Sequence, residues 1–188
     1  MFFCVYIHVF NLKNGAYMAY RKHKFFGVIN MKRIWENSCI KWVILAETVG
    51  LLAGIFTRGG MADYNSVASK PAFVPPEWVF PVVWTILYAL MGKGMCLVVR
   101  TESSMYKQRS INLFVTQLIV NFFWPFFFFN VGAYGFSLAW LVLLWGLVLW
   151  MVIVFSKTST KAALLQLPYL IWLTFAAYLN ATVWIQNH

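Results

Sequence analysis

The chain has 188 residues, of which 62% are hydrophobic and only 11% are charged, whereas a soluble domain carries about 25% charged residues. A globule of this size cannot enclose so many apolar side chains, so its outer surface must also be apolar and lipid is the predicted solvent. The net charge of +10 comes from basic residues between apolar runs or before the first run. That placement is typical of membrane topology signals and excludes a soluble nucleic-acid-binding face.

The first 39 residues form a basic extension whose opening apolar run is too short to span a membrane. Its charges follow the apolar run, which is the reverse of the order in a secretory signal. Two interpretations stay open. The segment is an interfacial helix, or the assigned start is too early and Met31 is the natural beginning; we favour the second.

Five later segments have the length and apolar character of membrane-spanning helices, which need about 20 mostly apolar residues. They are residues 40–56, 80–99, 111–129, 135–155 and 162–184. Backbone polar groups in hydrocarbon must be paired within each segment, and no period of two indicates a membrane barrel. The predicted fold is therefore all-α, a polytopic five-helix transmembrane bundle formed by residues 40–188.

A long loop, residues 57–79, separates the first two spans. Loops of this length in compact proteins are usually functional or disordered. This loop contains glycines and prolines, and its three aromatic residues favour packing: Tyr64, Phe73 and Trp78. We expect it to fold back across one end of the bundle.

The lysines and arginines predict the orientation of the bundle. Twelve of them lie before or at the start of the first span or in the second and fourth loops, whereas two lie in the long loop and none at the C-terminal end. The N-terminus is therefore predicted to be cytoplasmic, and the long loop and the C-terminus are predicted to face outward.

The chain has three cysteines, Cys4, Cys39 and Cys96. Their spacing does not fit a metal site, and their odd number does not indicate a disulfide framework. We interpret them as free thiols or small hydrophobic side chains.

Two charged residues, Glu47 and Lys93, lie within predicted spans. Charges in spans are costly and are candidates for function. Each could contact a ligand or form a buried ion pair. The alternative is that each faces the bundle interior or reaches a helix end with its side chain.

In the third span, Gln117, Asn121 and Trp124 share one helix face, and Pro125 should kink the helix and free a carbonyl. Such a stripe could line a cavity with hydrogen-bonding groups. It could equally form helix–helix hydrogen bonds without a ligand. The residues alone leave both interpretations open.

The fifth and second spans carry similar faces. In the fifth, Trp172, Ala176 and Asn180 form one stripe, and in the second, Trp84 and Tyr88 line one face. A small residue between Trp and Asn allows close approach of a helix or of a flat ligand, and helix packing is again the simpler alternative. Three tryptophans of the fourth span are five residues apart, so we expect them to face lipid or the interface: Trp140, Trp145 and Trp150.

Three stretches, "KPAFVPPEWVFPVVWTILYALMGKG", "QLIVNFFWPFFFF" and "LPYLIWLTFAAYLNATVW", resemble the signature blocks of the TspO/MBR family. This family comprises the tryptophan-rich sensory proteins of bacteria and the related mitochondrial translocator protein, or peripheral-type benzodiazepine receptor. The resemblance covers roughly residues 43–187, with the blocks in order.

The resemblance implies a five-helix bundle, often a homodimer, with a cavity beneath the long loop. Its ligands would be porphyrins such as protoporphyrin IX, haem-related tetrapyrroles, sterols and synthetic isoquinoline or benzodiazepine compounds. By position, the cavity would be lined by Trp84, Tyr88, Asn121, Trp124, Trp172, Phe175, Ala176 and Asn180, and the lid would be shaped by Pro75, Pro76 and Trp78.

The sequence departs from the family pattern at the lid and at the C-terminus. Asp63 stands where a Trp usually precedes Tyr64, and Phe73 stands where Trp is usual, so the lid has lost two indoles. Ala181 and Ile185 occupy the places of the Tyr and Arg in the animal cholesterol motif. Such motifs are weak even when present, and we do not predict selective sterol binding.

Three functions are carried forward from the sequence. The first is a membrane receptor or transporter for porphyrins and other planar hydrophobic molecules, acting in tetrapyrrole homeostasis or stress sensing. The second is a light-dependent porphyrin-degrading protein, and the third is a structural membrane protein without a small ligand. We predict no cofactor or metal and no nucleic-acid partner, and no nucleophile triad or paired carboxylates indicate an enzyme.

Overall fold

The computed structural model describes residues 39–67, 74–102 and 104–187. The basic N-terminal extension, for which two interpretations stand above, lies outside these residues, as does Phe73 of the loop. The extension and the boundary of the membrane domain therefore stay predictions.

The described residues form six α-helices and one π-helical turn. These elements are α1 (Cys39–Val67), α2 (Val79–Val99), α3 (Met105–Pro125), the π-helical turn (Phe126–Asn130), α4 (Tyr134–Ser156), α5 (Thr160–Leu164) and α6 (Leu167–Gln186). These elements form five segments that are long and apolar enough to cross a membrane. One of the segments combines α3 with the π-helical turn, and another combines α5 with α6. The sequence prediction of an all-α, five-helix bundle is confirmed.

Spanning helices that follow each other in the chain run in opposite directions, as α3 and α4 show. Trp140 of α4 donates to the carbonyl of Val120 in α3, and Ser110 near the start of α3 lies 3.5 Å from the hydroxyl of Thr158 after α4. These paired positions run in opposite order along the two helices, which is the arrangement expected from short connections. Each spanning helix therefore presents one end to each side of the membrane.

Large apolar side chains cover the outside of the bundle. Leu51 on α1, Ile86 on α2, Val142 on α4 and Ile171 on α6 are all more than half exposed. Soluble proteins rarely expose apolar patches that extend over the whole outside of a helix bundle. The chain is an integral, multi-pass membrane protein.

Helix α1 is longer than the sequence prediction, which placed a loop from residue 57 onward. It continues through Gly59 and Gly60 to Val67, so at least ten residues that were assigned to the loop are helical. A glycine within a helix costs only about 1 kcal/mol relative to alanine. Here a Cβ atom on Gly60 would lie 2.5 Å from the carbonyl oxygen of Phe129, so glycine permits close packing of α1 on the π-helical turn.

Helices α1 and α2 also approach closely near the end of the bundle where α1 begins. A Cβ atom on Gly92 would lie 2.5 Å from the Cα atom of Val43, so only glycine fits between the two backbones. Farther along the pair, the ring of Tyr88 fills the space where a side chain of Gly50 would be. The small residues thus set the distance between the two helices and position Tyr88.

The interpretation of all cysteines as free thiols or small hydrophobes is wrong for two of them. Cys39, the first residue of α1, is disulfide-bonded to Cys96, in the last turn of α2, across a Cα–Cα distance of 5.0 Å. A sequence separation of 57 residues hides this proximity, because only the packing of the two helices brings the sulfurs together. Cys4 lies outside the described residues.

Pro125 changes the helix type. Helix α3 ends at Pro125, and the chain continues as the π-helical turn, where Val131 N–H donates to the carbonyl of Phe126 at 3.2 Å. Proline lacks the N–H that would continue the α-helical pattern, and π-helical turns are a known response to such interruptions. Gly132 then adopts a positive φ of 66°, which suits glycine and turns the chain into α4.

Candidate functional site

The interior of the bundle contains a ladder of hydrogen bonds that starts on α3. Asn121 donates through Nδ2 to the hydroxyl of Tyr88 on α2 at 2.9 Å. One turn earlier, Gln117 accepts from the hydroxyl of Tyr169 on α6 at 3.2 Å and lies 3.7 Å from the sulfur of Met91. All four polar or aromatic partners are buried. The α3 stripe predicted from the sequence therefore faces the interior and joins three helices.

Trp124 extends the ladder by one turn. Its indole Nε1 donates to Oδ1 of Asn180 on α6 at 3.3 Å, and the hydroxyl of Ser137 donates to the same oxygen at 3.1 Å. Asn180 Nδ2 donates in turn to the backbone carbonyl of Tyr134 at 2.8 Å. Asn180 is 1% exposed, so its amide is fully paired within the protein and links α3, α4 and α6.

A row of aromatic rings lies along the seam between α2 and α6. Phe80 contacts Trp172 with ring centroids 5.9 Å apart, and Trp84 contacts Tyr169 at 6.1 Å. Trp172 also lies 5.4 Å from Phe175, and Trp84 lies 5.5 Å from Tyr88. These distances are typical of aromatic pairs. We call this row of rings the aromatic seam; its members are Phe80, Trp84, Tyr88, Tyr169, Trp172 and Phe175. The tryptophans and phenylalanines among them are only half-buried, so part of their ring surface is exposed at the edge of the seam.

The remaining predicted site residues lie around this seam. Ala176, on α6 between Trp172 and Asn180, is buried. Pro75 and Pro76 lie directly before α2, and the carbonyl of Pro76 accepts from Val79 N–H at 2.9 Å. Trp78 is 67% exposed. The loop prolines thus direct the chain into α2, next to Phe80 at the top of the seam.

The two charged residues within the spans differ in environment. Lys93 is exposed on the outside of the bundle, which fits the interpretation that its long stem reaches toward the interface. Glu47 is half-buried, and within residues 39–67, 74–102 and 104–187 it forms no ion pair. The prediction that Glu47 forms a buried ion pair is therefore not met by any basic residue in the described part of the chain.

The tryptophans of α4 only partly match the expected lipid-facing arrangement. Trp150 is 55% exposed. Trp140 and Trp145 are half-buried, and their indole N–H groups donate to Val120 O at 2.8 Å and to the hydroxyl of Thr174 at 2.9 Å. A buried indole N–H needs a partner, and these two find one on the neighbouring helices.

Two cavities lie away from the predicted site, in a groove between α1 and α3. One has a volume of about 360 Å³ and the other about 270 Å³. Both are lined by Phe122 and Phe123, and the larger also by Thr57 and Asn130. This α1–α3 groove is a competing location for an apolar ligand, and the experiments below separate it from the aromatic seam.

Sequence reasoning missed Tyr169 and Phe80 as members of the aromatic seam. Tyr169 lies three residues before Trp172 and therefore shares its helix face, which is a signal that the sequence contains. Phe80 carries the same kind of signal, because it lies four residues before Trp84 on α2, but its contact with Trp172 depends on packing. Ser137 and Tyr134 were also missed, since their role depends on the packing of α4 against Asn180.

Replacing Asn180 with leucine should lower the free energy of unfolding by about 2 kcal/mol, because Trp124 Nε1, Ser137 and the Tyr134 carbonyl would lose a buried partner. Equilibrium unfolding in mixed micelles would measure the loss. Asn112→Leu is the matched control, since Asn112 is exposed on α3. Equal effects of the two replacements would contradict the buried network.

Fold and site together define a class: an integral membrane protein of five spanning helices whose interior is lined by aromatic and amide side chains and whose second span follows two prolines. Residues 42–185 match the TspO/MBR family, which covers more than half of the chain. The chain belongs to the TspO/MBR family, as the sequence blocks indicated.

Named relatives from bacteria and animals agree with this assignment. The tryptophan-rich protein TspO of Chlorobaculum tepidum is 36% identical over 143 residues, which is 74% of this chain and 89% of the relative. The translocator protein of Homo sapiens is 34% identical over 77% of this chain and 87% of its own length. The tryptophan-rich sensory protein of Cereibacter sphaeroides is 36% identical over 74% and 88%.

Proposed function

We propose that the protein is a membrane receptor or transporter-like protein that binds porphyrins, such as protoporphyrin IX and haem-related tetrapyrroles, and other planar hydrophobic molecules. Its role would lie in tetrapyrrole homeostasis or stress sensing. The observation that carries the proposal is the aromatic seam, with paired amides of α3 and α6 directly behind it. The names of its relatives, translocator protein and tryptophan-rich sensory protein, support a role in recognising or moving a small molecule.

The chemistry of the seam suits a flat ligand with a polar rim. Trp84 and Trp172 offer ring faces for stacking, and such contacts contribute about 0.5–1.5 kcal/mol each beyond the burial of apolar area. Asn121 and Asn180 stay paired within the protein and hold Tyr88 and Trp124 in position behind these rings. Sites for small molecules generally combine many apolar walls with a few placed polar groups.

Binding would require a change at the seam. The rings of Phe80 and Trp172 contact each other across it, so a planar molecule must separate them or lie over their exposed edges. Both rings lie where the loop enters α2. A movement of Phe80 at the start of α2 would open the seam without disturbing the buried ladder on α3.

The orientation that follows from the basic residues is also a proposal. Among the described residues, Arg100, Lys107, Arg109, Lys157 and Lys161 lie in or next to the two connections at the end of the bundle where α1 begins. We infer that this end faces the cytoplasm. The loop before α2 and the aromatic seam would then lie on the outer side.

A titration of the purified protein with protoporphyrin IX, followed by quenching of Trp fluorescence, tests the proposal. Saturable quenching is expected in the wild type. In Asn121→Ala we expect about tenfold weaker binding, the equivalent of one hydrogen bond to a buried polar group. Asn112→Ala, on the exposed face of the same helix, should bind as the wild type does.

Two results would point to the alternatives. Absence of saturable quenching would favour a structural protein without a small ligand. Formation of porphyrin products that needs both light and Trp84 or Trp172 would favour the degrading protein. Binding in the dark without product formation supports the receptor.

A further inference from the structure

We propose that Cys39 and Cys96 form a reversible thiol–disulfide pair that clamps α1 to α2 in response to the redox state on the basic side of the membrane. This inference is independent of porphyrin binding. It depends on the inferred orientation of the bundle, and its test also reports on that orientation.

The helix packing keeps the two cysteines adjacent whether or not they are bonded. Val43 follows Cys39 by one turn on α1, and Gly92 precedes Cys96 by one turn on α2. The backbones of Val43 and Gly92 are in close contact because Gly92 has no side chain. The Cα–Cα distance of 5.0 Å between the cysteines lies within the range that disulfides require. Reduced thiols would therefore stay in position to form the bond again.

The location of the pair argues for reversibility. Both cysteines lie at the end of the bundle that carries the basic connections, which we assign to the cytoplasm. Disulfides in that compartment are usually transient, because glutathione and thioredoxin systems keep thiols reduced. A bond at this end is therefore expected to form under oxidising conditions and to be reduced again afterwards.

The two sulfurs differ in accessibility, which sets the order of the reaction. Cys96 is 2% exposed, whereas Cys39 is half-buried at the helix start. With a low-molecular-weight disulfide RSSR as the oxidant, the Cys39 thiolate attacks one sulfur and releases RS⁻. The Cys96 thiolate then attacks the mixed disulfide and releases the second RS⁻. The two thiol protons go to the two RS⁻ groups, so the pair loses two electrons and RSSR becomes two RSH.

The bond should make the membrane domain harder to unfold. It closes a chain segment with a sequence separation of 57 residues, and closing a long segment restricts the unfolded chain. The clamped helices are also the pair that holds Tyr88 against Gly50. The oxidised protein is expected to melt several degrees higher than the reduced protein.

Thiol trapping in cells tests the proposal on the full-length chain in a Cys4→Ser background. Cells are quenched with acid and denatured, and free thiols are labelled with a maleimide–polyethylene glycol that shifts gel mobility. We expect two labels before treatment, none after diamide, and two again after the diamide is removed. Two labels throughout would overturn the proposal. Permanently blocked thiols would also overturn it and would place this end of the bundle in an oxidising compartment.

Single variants identify the partners. After diamide, Cys96→Ser should lose its label, because Cys39 stays as the mixed disulfide when no second thiol resolves it. Cys39→Ser should keep one label, because the buried Cys96 does not react first. Loss of that label would mean that the thiol pairs elsewhere, which contradicts the proposal. The melting temperature gives a test that does not depend on labelling. It should fall when the purified protein is reduced, whereas reduction should not change the melting temperature of the variant that carries both Cys39→Ser and Cys96→Ser.

Discussion

Replacing Gly92 with alanine is expected to lower the free energy of unfolding by about 1–3 kcal/mol, the usual range for overpacking a tight contact. The added Cβ atom would lie 2.5 Å from Val43 Cα and 2.6 Å from Val43 N. These are backbone atoms of α1, so no side-chain rotation relieves the clash and the helices must separate. The disulfide one turn away resists that separation. Unfolding in mixed micelles, compared with the wild type, measures the effect.

Gly146→Ala is the matched control for this prediction. Gly146 also lies within a spanning helix, and a Cβ atom there would meet no other atom within 4 Å. Alanine has the higher helix propensity by about 1 kcal/mol, so this variant should be as stable as the wild type or slightly more stable. A Gly92→Ala variant that behaves like the control would refute the close contact between α1 and α2.

Trp172→Ala is expected to weaken protoporphyrin IX binding by about tenfold to a hundredfold, because it removes the largest ring at the centre of the aromatic seam. Trp172 contacts both Phe80 and Phe175, so its loss removes a stacking surface and loosens two others. It is half-buried and forms none of the hydrogen bonds of the α3 ladder. The protein should therefore stay folded, and titration by Trp quenching or by porphyrin absorbance measures the affinity.

Two controls separate the aromatic seam from other aromatic surfaces. Trp150→Ala removes an indole from the exposed face of α4 and should leave the affinity unchanged. Phe123→Ala alters the α1–α3 groove and should also leave it unchanged. If Phe123→Ala weakens binding and Trp172→Ala does not, the ligand binds in the groove and the proposed site is wrong.

The sequence predicted the fold well because runs of about 20 apolar residues have few alternatives in lipid. The boundaries of α4 differ from the predicted span by one residue at each end, and α2 differs by one residue at its start only. Helix α1 was predicted too short, because Arg58 and the adjacent glycines were read as the start of a loop. A charged residue ends the apolar run, but it does not end the helix when the following turns pack on other elements.

The site was predictable in part. Spacings of three and four residues placed Gln117, Asn121 and Trp124 on one face, and the structure turns that face inward. Their hydrogen bonds to Tyr169, Tyr88 and Asn180 connect different helices, and such partners are set by packing. The disulfide and the Phe80–Trp172 contact could not be predicted from the sequence for the same reason. Lining of a ligand cavity by these residues stays a prediction, as does the homodimer implied by the family resemblance.

The length of α1 has a consequence for how a ligand reaches the protein. Its 29 residues measure about 44 Å at 1.5 Å per residue, whereas the hydrocarbon layer is about 30 Å thick. Arg58 and Asp63 mark the part beyond that layer. The last turns of α1 therefore extend beyond the hydrocarbon into the headgroup region, where Tyr64 contacts Phe128 with ring centroids 5.3 Å apart. A hydrophobic molecule dissolved in the bilayer would therefore approach the bundle from the side, below these last turns of α1.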